Sequence, residues 1–312
     1  MGDLPLSVAF LFPGQGSQYP GMLHQLPDHT IMSETLNEAS QILEQDVWTL
    51  DTNEALVSTV SVQLALLISG VAAARILRAE GIRPELAAGL SVGAFAAAVA
   101  VEALEFDAAL MLVQCRARLM ENAFPKGYGL TAVVGLSEQR LGKIVEGVNT
   151  VRTPVFLANI NAPTQIVIAG SDDAMDAVIE QARNEGARTA KRLFVGVPSH
   201  CPLLKTTADE LCRQIAGIEI RQPKGIYMGN CRARALHDPE EIRQDLGRNV
   251  ECAVRWHDIM TVAFERGIRL FVELPPGHRL TDLAVAAFPD ARAVALERAS
   301  LSPQIELIKR YV

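Results

Sequence analysis

Ser7 to Phe12 is a short apolar run closed by Pro13, Gly14 and Gly16, the pattern of a buried strand that feeds a turn. Residues 60–79 form a longer apolar stretch, long enough for a helix, and Pro84 breaks the pattern. Glu85 to Leu90 then suits a short strand leading into an Ala-rich helix from about Gly93. This succession of strand, turn and helix recurs through the first 125 residues. Between 127 and 198 the pattern changes to a strand (Leu130 to Val134), a helix (137–148), strands at 154–160 and 165–169, a helix (172–185) and a strand (188–195). The order β-α-β-β-α-β is that of a ferredoxin-like unit. Alternation resumes with Ile226 to Met228, a helix near 257–266 and a strand at 269–274. The expected organisation is therefore a discontinuous α/β domain with a parallel sheet, residues 1–126 and 199–312, and a small domain inserted at 127–198.

Composition fits that layering. Hydrophobic residues make up 49% of the 312 but aromatics only 5%, so Ala, Leu, Val and Ile must build the interior. The net charge is -7 and no run of Lys or Arg makes a phosphate-tracking stripe, which argues against nucleic acid as a partner. The cysteines, Cys115, Cys201, Cys212, Cys231 and Cys252, are scattered, odd in number and without a C-x-x-C pair. Neither a disulfide framework nor a metal site is expected from them, and a reducing cytoplasm fits best. The N-terminus, acidic at Asp3 and without a basic flank, does not read as a signal peptide. No charge occurs from Ala55 to Ala74, and about 20 apolar residues can span a bilayer. Ser58, Thr59, Ser61, Gln63, Ser69 and Gly70 make that stretch too polar a mixture for a span, so a buried core helix is expected and no membrane.

The sharpest chemical signal is Gly89-Leu90-Ser91-Val92-Gly93, a G-x-S-x-G between an expected strand and an expected helix. There the glycines permit a tight turn that lifts the Ser91 hydroxyl out of the sheet, at the positive end of a helix. The competing reading is a glycine-rich packing turn. A serine nucleophile needs a general base within hydrogen-bond reach, usually His. Of His24, His29, His200, His237, His257 and His278, His200 stands apart, in Val197-Pro198-Ser199-His200-Cys201 where the chain leaves the inserted domain. A structural histidine is the commoner reading of such a position. Acyl transfer also needs oxyanion donors. The Val92 N–H follows the nucleophile directly, and Gln15 stands on a Gly-flanked turn at the carboxyl end of the first strand. A dinucleotide loop would require Gly where Tyr19 stands.

Arg116 lies on the apolar face of a helix from about Phe106 to Asn122, among Leu112, Val113, Leu119 and Met120. Its guanidinium must find a partner, either an acidic residue of this chain in a buried ion pair or a carboxylate that arrives with a substrate. Gln63 among Leu64, Leu66, Leu67 and Ile68 is either a satisfied core amide or part of a pocket lining. Two rival readings stand beside a transferase: a serine hydrolase using Ser91 with Asp245 and His278, and a non-catalytic docking subunit.

Taken together, FPGQGSQ (Phe12 to Gln18), the serine elbow, Arg116, NINAPTQIVIAG (Asn159 to Gly170), VPSHC (Val197 to Cys201) and Glu273 to Gly277 resemble the malonyl-CoA:acyl carrier protein transacylase family along essentially the whole chain. The resemblance implies an α/β-hydrolase-like domain with a ferredoxin-like insertion. It also implies Ser91 as nucleophile, His200 as base, Gln15 and the Val92 N–H as oxyanion donors, and Arg116 as clamp for the malonyl carboxylate; Gln63, if it lines the pocket, is a further candidate for substrate binding. The family histidine is oriented by a backbone carbonyl, which falls on Asn249; family members commonly carry Gln there, an exchange that a main-chain carbonyl should survive. No permanent cofactor or metal is implied, malonyl-CoA being the substrate and an acyl carrier protein with a phosphopantetheine thiol the partner. The family elbow usually reads G-H-S-x-G-E, and Leu90 and Ala94 depart from it. GLSVGAF is similar to the epsilon subunit of malonate decarboxylase, which makes the subunits of that complex further expected partners. Fatty-acid or polyketide synthesis, or a hydrolase or thioesterase on the same fold, are the alternatives.

Overall fold

A central strand of a parallel sheet is covered on both faces and so reads as a continuous apolar run. That is the state of β1 (Ser7–Phe12), of which Val8 to Phe12 are all buried. The computed structural model describes residues 6–124, 126–296 and 301–312, so Asp3 lies outside the described residues. After β1 come α1 (Thr30–Leu43), α2 (Thr59–Ala79), β2 (Leu86–Gly89), α3 (Gly93–Ala100) and α4 (Phe106–Ala123). The next stretch holds β3 (Tyr128–Val134), α5 (Glu138–Val148), β4 (Val155–Ala162), β5 (Gln165–Ser171), α6 (Asp172–Asn184) and β6 (Thr189–Arg192). The chain closes with α7 (Lys205–Ile215), β7 (Ile226–Met228), β8 (Ala235–Leu236), α8 (Pro239–Arg248), α9 (Trp256–Glu265), β9 (Ile268–Glu273), α10 (Arg279–Ala287), β10 (Arg292–Ala295) and α11 (Leu301–Lys309).

The larger sheet runs β10-β9-β1-β2-β7-β8, parallel except where β8 turns back on β7. One of its faces is covered by α2, α3 and α4, the other by α9 and α10. Helix α2 is long and apolar enough to cross a bilayer by length and composition, yet it lies inside the fold with Val62 to Ala74 buried. A helix apolar all round belongs in a core. Ser58 caps it, its hydroxyl accepting from Val60 N at 3.2 Å.

The second sheet is antiparallel, in the order β4-β5-β3-β6. Helices α5 and α6 close one face over Val133, Leu141, Ile168 and Val178. The opposite face carries Leu130, Ala158, Val167 and Ala169 against Cys201, at the seam with the larger sheet. There Val254 adds a further rung to β4, with Ile160 N to Val254 O at 2.9 Å and Val254 N to Ala158 O at 2.8 Å. Two expectations need correction. The strand placed at 188–195 ends at Arg192, before the loop that leads to His200. Cys231 and Cys252 form a disulfide, 21 residues apart in sequence with Cα atoms 5.6 Å apart. Their pairing is made by the fold, which brings the turn after β7 against the turn after α8, and spacing alone gives no sign of it.

Candidate active site

Strand β2 ends at Gly89 and α3 begins at Gly93, so Ser91 stands on a three-residue corner between them. Ser91 has a φ of 57°, a left-handed conformation that an L-residue holds only when its surroundings enforce it. The corner is tight because both glycines let main chains touch. A Cβ on Gly89 would lie 2.0 Å from the carbonyl carbon of Gly93, and one on Gly93 would lie 2.3 Å from the carbonyl oxygen of Phe12. Val92, the N-cap residue of α3, lines the same cavity as Gln15, which stands on the turn after β1 at the carboxyl end of the sheet.

His200 also has a left-handed backbone, φ 63°, and is buried with 2% exposure. Its ring bridges two parts of the chain: Nδ1 is 2.6 Å from the Asn249 carbonyl oxygen and Nε2 is 2.7 Å from Ser91 Oγ. A carbonyl only accepts, so Nδ1 must carry the proton in the neutral ring, and Nε2 presents its lone pair to the serine hydroxyl. Burial and the nearby Arg116 charge push the His200 pKa down to about 4, against the Asn249 carbonyl, which acts in the other direction. The imidazole is therefore neutral at pH 7.

Arg116, on α4, has no accessible surface at all. The ion pair with an acidic residue does not exist among the described residues; its partners are neutral. Nη1 donates to Gln63 Oε1 at 2.5 Å, and Nη2 to Ser91 Oγ at 3.0 Å and Asn249 Oδ1 at 3.5 Å. Nε is buried with no partner. Burial lowers the pKa to about 9, which leaves the group charged at neutral pH. Nε and Nη2 form one edge of the planar fork, the edge that can take a carboxylate through two parallel bonds. Of that edge, Nη2 reaches Ser91 Oγ.

A cavity of about 320 Å³ opens in front of the serine, between the two sheets. Its walls include Gln15, Gln63, Ser91, Val92, Asn161 and His200. Arg116 is not on the wall; it stands behind Ser91 and reaches the cavity through the hydroxyl. Among the described residues no cluster of His, Cys, Asp or Glu could hold a metal ion. The rival pair is not assembled, because His278 Nδ1 meets Asp282 at 2.9 Å and Asp245 meets Tyr227 Oη at 2.8 Å. A residue the sequence reading passed over, Asn230, is wholly buried against the elbow, with Oδ1 accepting from Ser91 N at 3.0 Å. Its signal was a lone amide just past a short strand, the same signal that pointed to Gln15 at the end of β1.

A serine hydroxyl paired with a neutral imidazole, beside a helix N-cap and a buried cation, can take up an acyl group and give it away again. Comparison with known proteins gives the same chemistry a family. Residues 9–305 match the family described as acyl transferase domain. The malonyl CoA-acyl carrier protein transacylase of Salmonella typhimurium is 36% identical over 303 residues, which cover 94% of this chain and 97% of that protein. The protein of the same name from Haemophilus influenzae is 34% identical over 295 residues, covering 92% and 94%. Among solved structures, the malonyl CoA-acyl carrier protein transacylase of Coxiella burnetii superposes with a TM-score of 0.93 at 36% identity, covering 98% of each chain. A malonyl-transacylase solved in complex with a type II polyketide acyl-carrier protein gives 0.92 at 34% identity, covering 96% of this chain and 99% of that one.

Proposed function

From the premise that this chain belongs to the acyl transferase family and is an acyltransferase, we propose that it moves a malonyl group from coenzyme A to the phosphopantetheine thiol of an acyl carrier protein, through an ester on Ser91. The observation that carries this reading is the convergence on one oxygen: Ser91 Oγ lies 2.7 Å from His200 Nε2 and 3.0 Å from Arg116 Nη2. His200 takes the hydroxyl proton as Oγ attacks the thioester carbonyl. The resulting oxyanion is held by the Val92 N–H and the Gln15 amide. Collapse of the tetrahedral species expels the coenzyme A thiolate, which takes the proton from His200 and leaves malonyl-Ser91. The carrier's thiol then gives its proton to His200 and attacks the ester, which returns the serine. The Asn249 carbonyl fixes the ring through both halves. The Nε and Nη2 edge of Arg116 receives the malonyl carboxylate, Gln63 holding the guanidinium by Nη1.

We read the two sheets as an α/β-hydrolase-like unit, residues 1–126 with 199–312, and a ferredoxin-like insertion, residues 127–198; the β-α-β-β-α-β order of the second supports this. The finer assignment, that the carrier belongs to a malonate decarboxylase, is supported by the elbow variant, in which Leu90 and Ala94 replace the usual His and Glu. Intact-mass measurement after mixing with malonyl-CoA tests the core of the proposal. One malonyl group is expected on the wild type and none on Ser91→Ala; labelling that persists in Ser91→Ala refutes it. Transfer rates to a malonate decarboxylase carrier and to a fatty-acid or polyketide carrier decide the finer point.

A further inference from the structure

Asp245 is a buried carboxyl group that the transfer chemistry does not use. It sits on α8, 9% exposed, and accepts three hydrogen bonds: Oδ1 from Asn230 N at 2.9 Å and Cys231 N at 3.4 Å, Oδ2 from Tyr227 Oη at 2.8 Å. These donors wrap the chain after β7 around the carboxyl group. The wrap delivers the Asn230 side chain to the serine corner, where Oδ1 accepts from Ser91 N at 3.0 Å and Nδ2 donates to Gly89 O at 2.9 Å. Strand pairing cannot satisfy those two groups. The β2–β7 ladder stops at Ala88 opposite Met228, one residue short of the corner. One amide thus continues the ladder past its end and ties the main chain on both sides of Leu90. The same helix governs the base, since Asn249 N donates to Asp245 O at 2.9 Å and Asn249 O receives His200 Nδ1.

We propose that Asn230 and Asp245 are positioning residues for acyl transfer: Asn230 clamps Gly89 O and Ser91 N so that the left-handed Ser91 keeps Oγ on His200, and Asp245 holds Asn230 in place. The inference rests on Ser91 being the nucleophile. Its chemical requirement is specific, because position 230 must offer an acceptor to one main-chain group and a donor to the other. Asn does both; an ionised Asp only accepts; a protonated Asp does both again.

The test measures the rate of Ser91 acylation by malonyl-CoA, with melting temperature, in wild type, Asn230→Ala, Asn230→Asp, Ser91→Ala and Val178→Ala, the last a control for plain loss of stability from the buried core of α6. Asn230→Ala is expected to lower kcat about a hundredfold with KM within about threefold, since a small misplacement of a reacting group costs on that order. Val178→Ala, at a comparable fall in melting temperature, is expected to leave kcat within about threefold. The Asn230→Asp rate divided by the wild-type rate is expected to rise about tenfold or more as the pH falls from about 9 to about 6. The titratable groups facing position 230 are Asp245 on α8, Tyr227 on β7 and, across Ser91, His200 and Arg116; the wild-type profile removes what they contribute by themselves, and what remains is the new carboxyl group with its coupling to them. A folded Asn230→Ala with wild-type kcat, a loss matched by Val178→Ala, or a flat Asn230→Asp ratio overturns the proposal. If Asn230→Ala does not fold, the Asn230→Asp ratio decides. Acylation that survives in Ser91→Ala refutes the nucleophile instead, whereas an inert Ser91→Ala beside wild-type-like Asn230 variants refutes this inference alone.

Discussion

Replacing Arg116 with Ala should strip the enzyme of its preference for malonyl over acetyl groups. The guanidinium is fully buried, without a carboxylate partner among the described residues; its Nη2 donates to Ser91 Oγ and its Nε is unpaired. A malonyl carboxylate seated there makes two charge-assisted bonds away from water. Truncating one partner of a buried, hydrogen-bonded charge pair costs roughly 2–5 kcal/mol. At about 1.4 kcal/mol per decade that is a loss of some thirtyfold to several thousandfold in kcat/KM for malonyl-CoA. An acetyl group has no carboxylate and loses only the Arg116 contact to Ser91 Oγ, a hydrogen bond of about 0.5–1.5 kcal/mol, or about two- to tenfold. The malonyl-to-acetyl ratio should therefore fall by about a hundredfold. Stopped-flow release of free coenzyme A from each thioester gives both values of kcat/KM. Equal losses for the two acyl groups would refute the clamp and return Arg116 to a purely structural part.

Four further outcomes are expected. The pH profile of kcat/KM for acylation, which reports the free enzyme, should be broad, with an acidic limb near pH 4 where His200 gains a proton and an alkaline limb near pH 9 where Arg116 loses one; limbs near 6.5 and above 12 would contradict the burial argument. Because the His200 pKa is lower in the folded chain, that residue contributes stability above about pH 6.5 that is lost as pH falls toward about 4, roughly 3 kcal/mol in all, checked by denaturant unfolding of wild type against His200→Ala across that window. Gly93→Ala places a methyl group 2.3 Å from the Phe12 carbonyl and should destabilise by about 3 kcal/mol or more, and an unchanged melting temperature would mean that the corner is not packed this way. His278→Ala should leave acylation unchanged while His200→Ala abolishes it, and the reverse would install the hydrolase pair.

What the sequence made legible follows from how local each feature is. β1 and α2 announced themselves because burial on all sides writes an unbroken apolar run, and the serine corner because its sterics demand glycine at fixed places. The apolar face of α4 showed that Arg116 would be buried, but only the fold could show that amides and a hydroxyl surround it where a carboxylate was equally open. His200 was harder still, since its ring is aimed by a carbonyl 49 residues away and by a left-handed backbone at a non-glycine position, neither of which leaves a mark in local composition. The Cys231–Cys252 pair is of the same kind. Helix α8 was missed for a different reason: Asp238 caps it, accepting from Glu240 N, and Pro239 opens it, a start signal that was present in the sequence and went unused.

The absence of a carboxylate behind His200 gains meaning from Arg116. In a serine triad a buried acid stabilises the imidazolium that forms as the proton moves; here a carbonyl holds the ring, and burial, with a buried cation bonded to the same Oγ, opposes its protonation. The free enzyme thus has a base too weak to do much to an acyl group that brings no charge. If a malonyl carboxylate seats on the Arg116 fork as proposed, it offsets the cation's share of that opposition and raises the basicity of His200 at the moment the thioester arrives. On that proposal, selection of the acyl group and activation of the nucleophile become one electrostatic event. Arg116→Ala should accordingly move the acidic limb of acetyl transfer upward from about pH 4, by the part of the shift that burial does not hold, while a limb that stays in place would show that the cation and the base are not coupled.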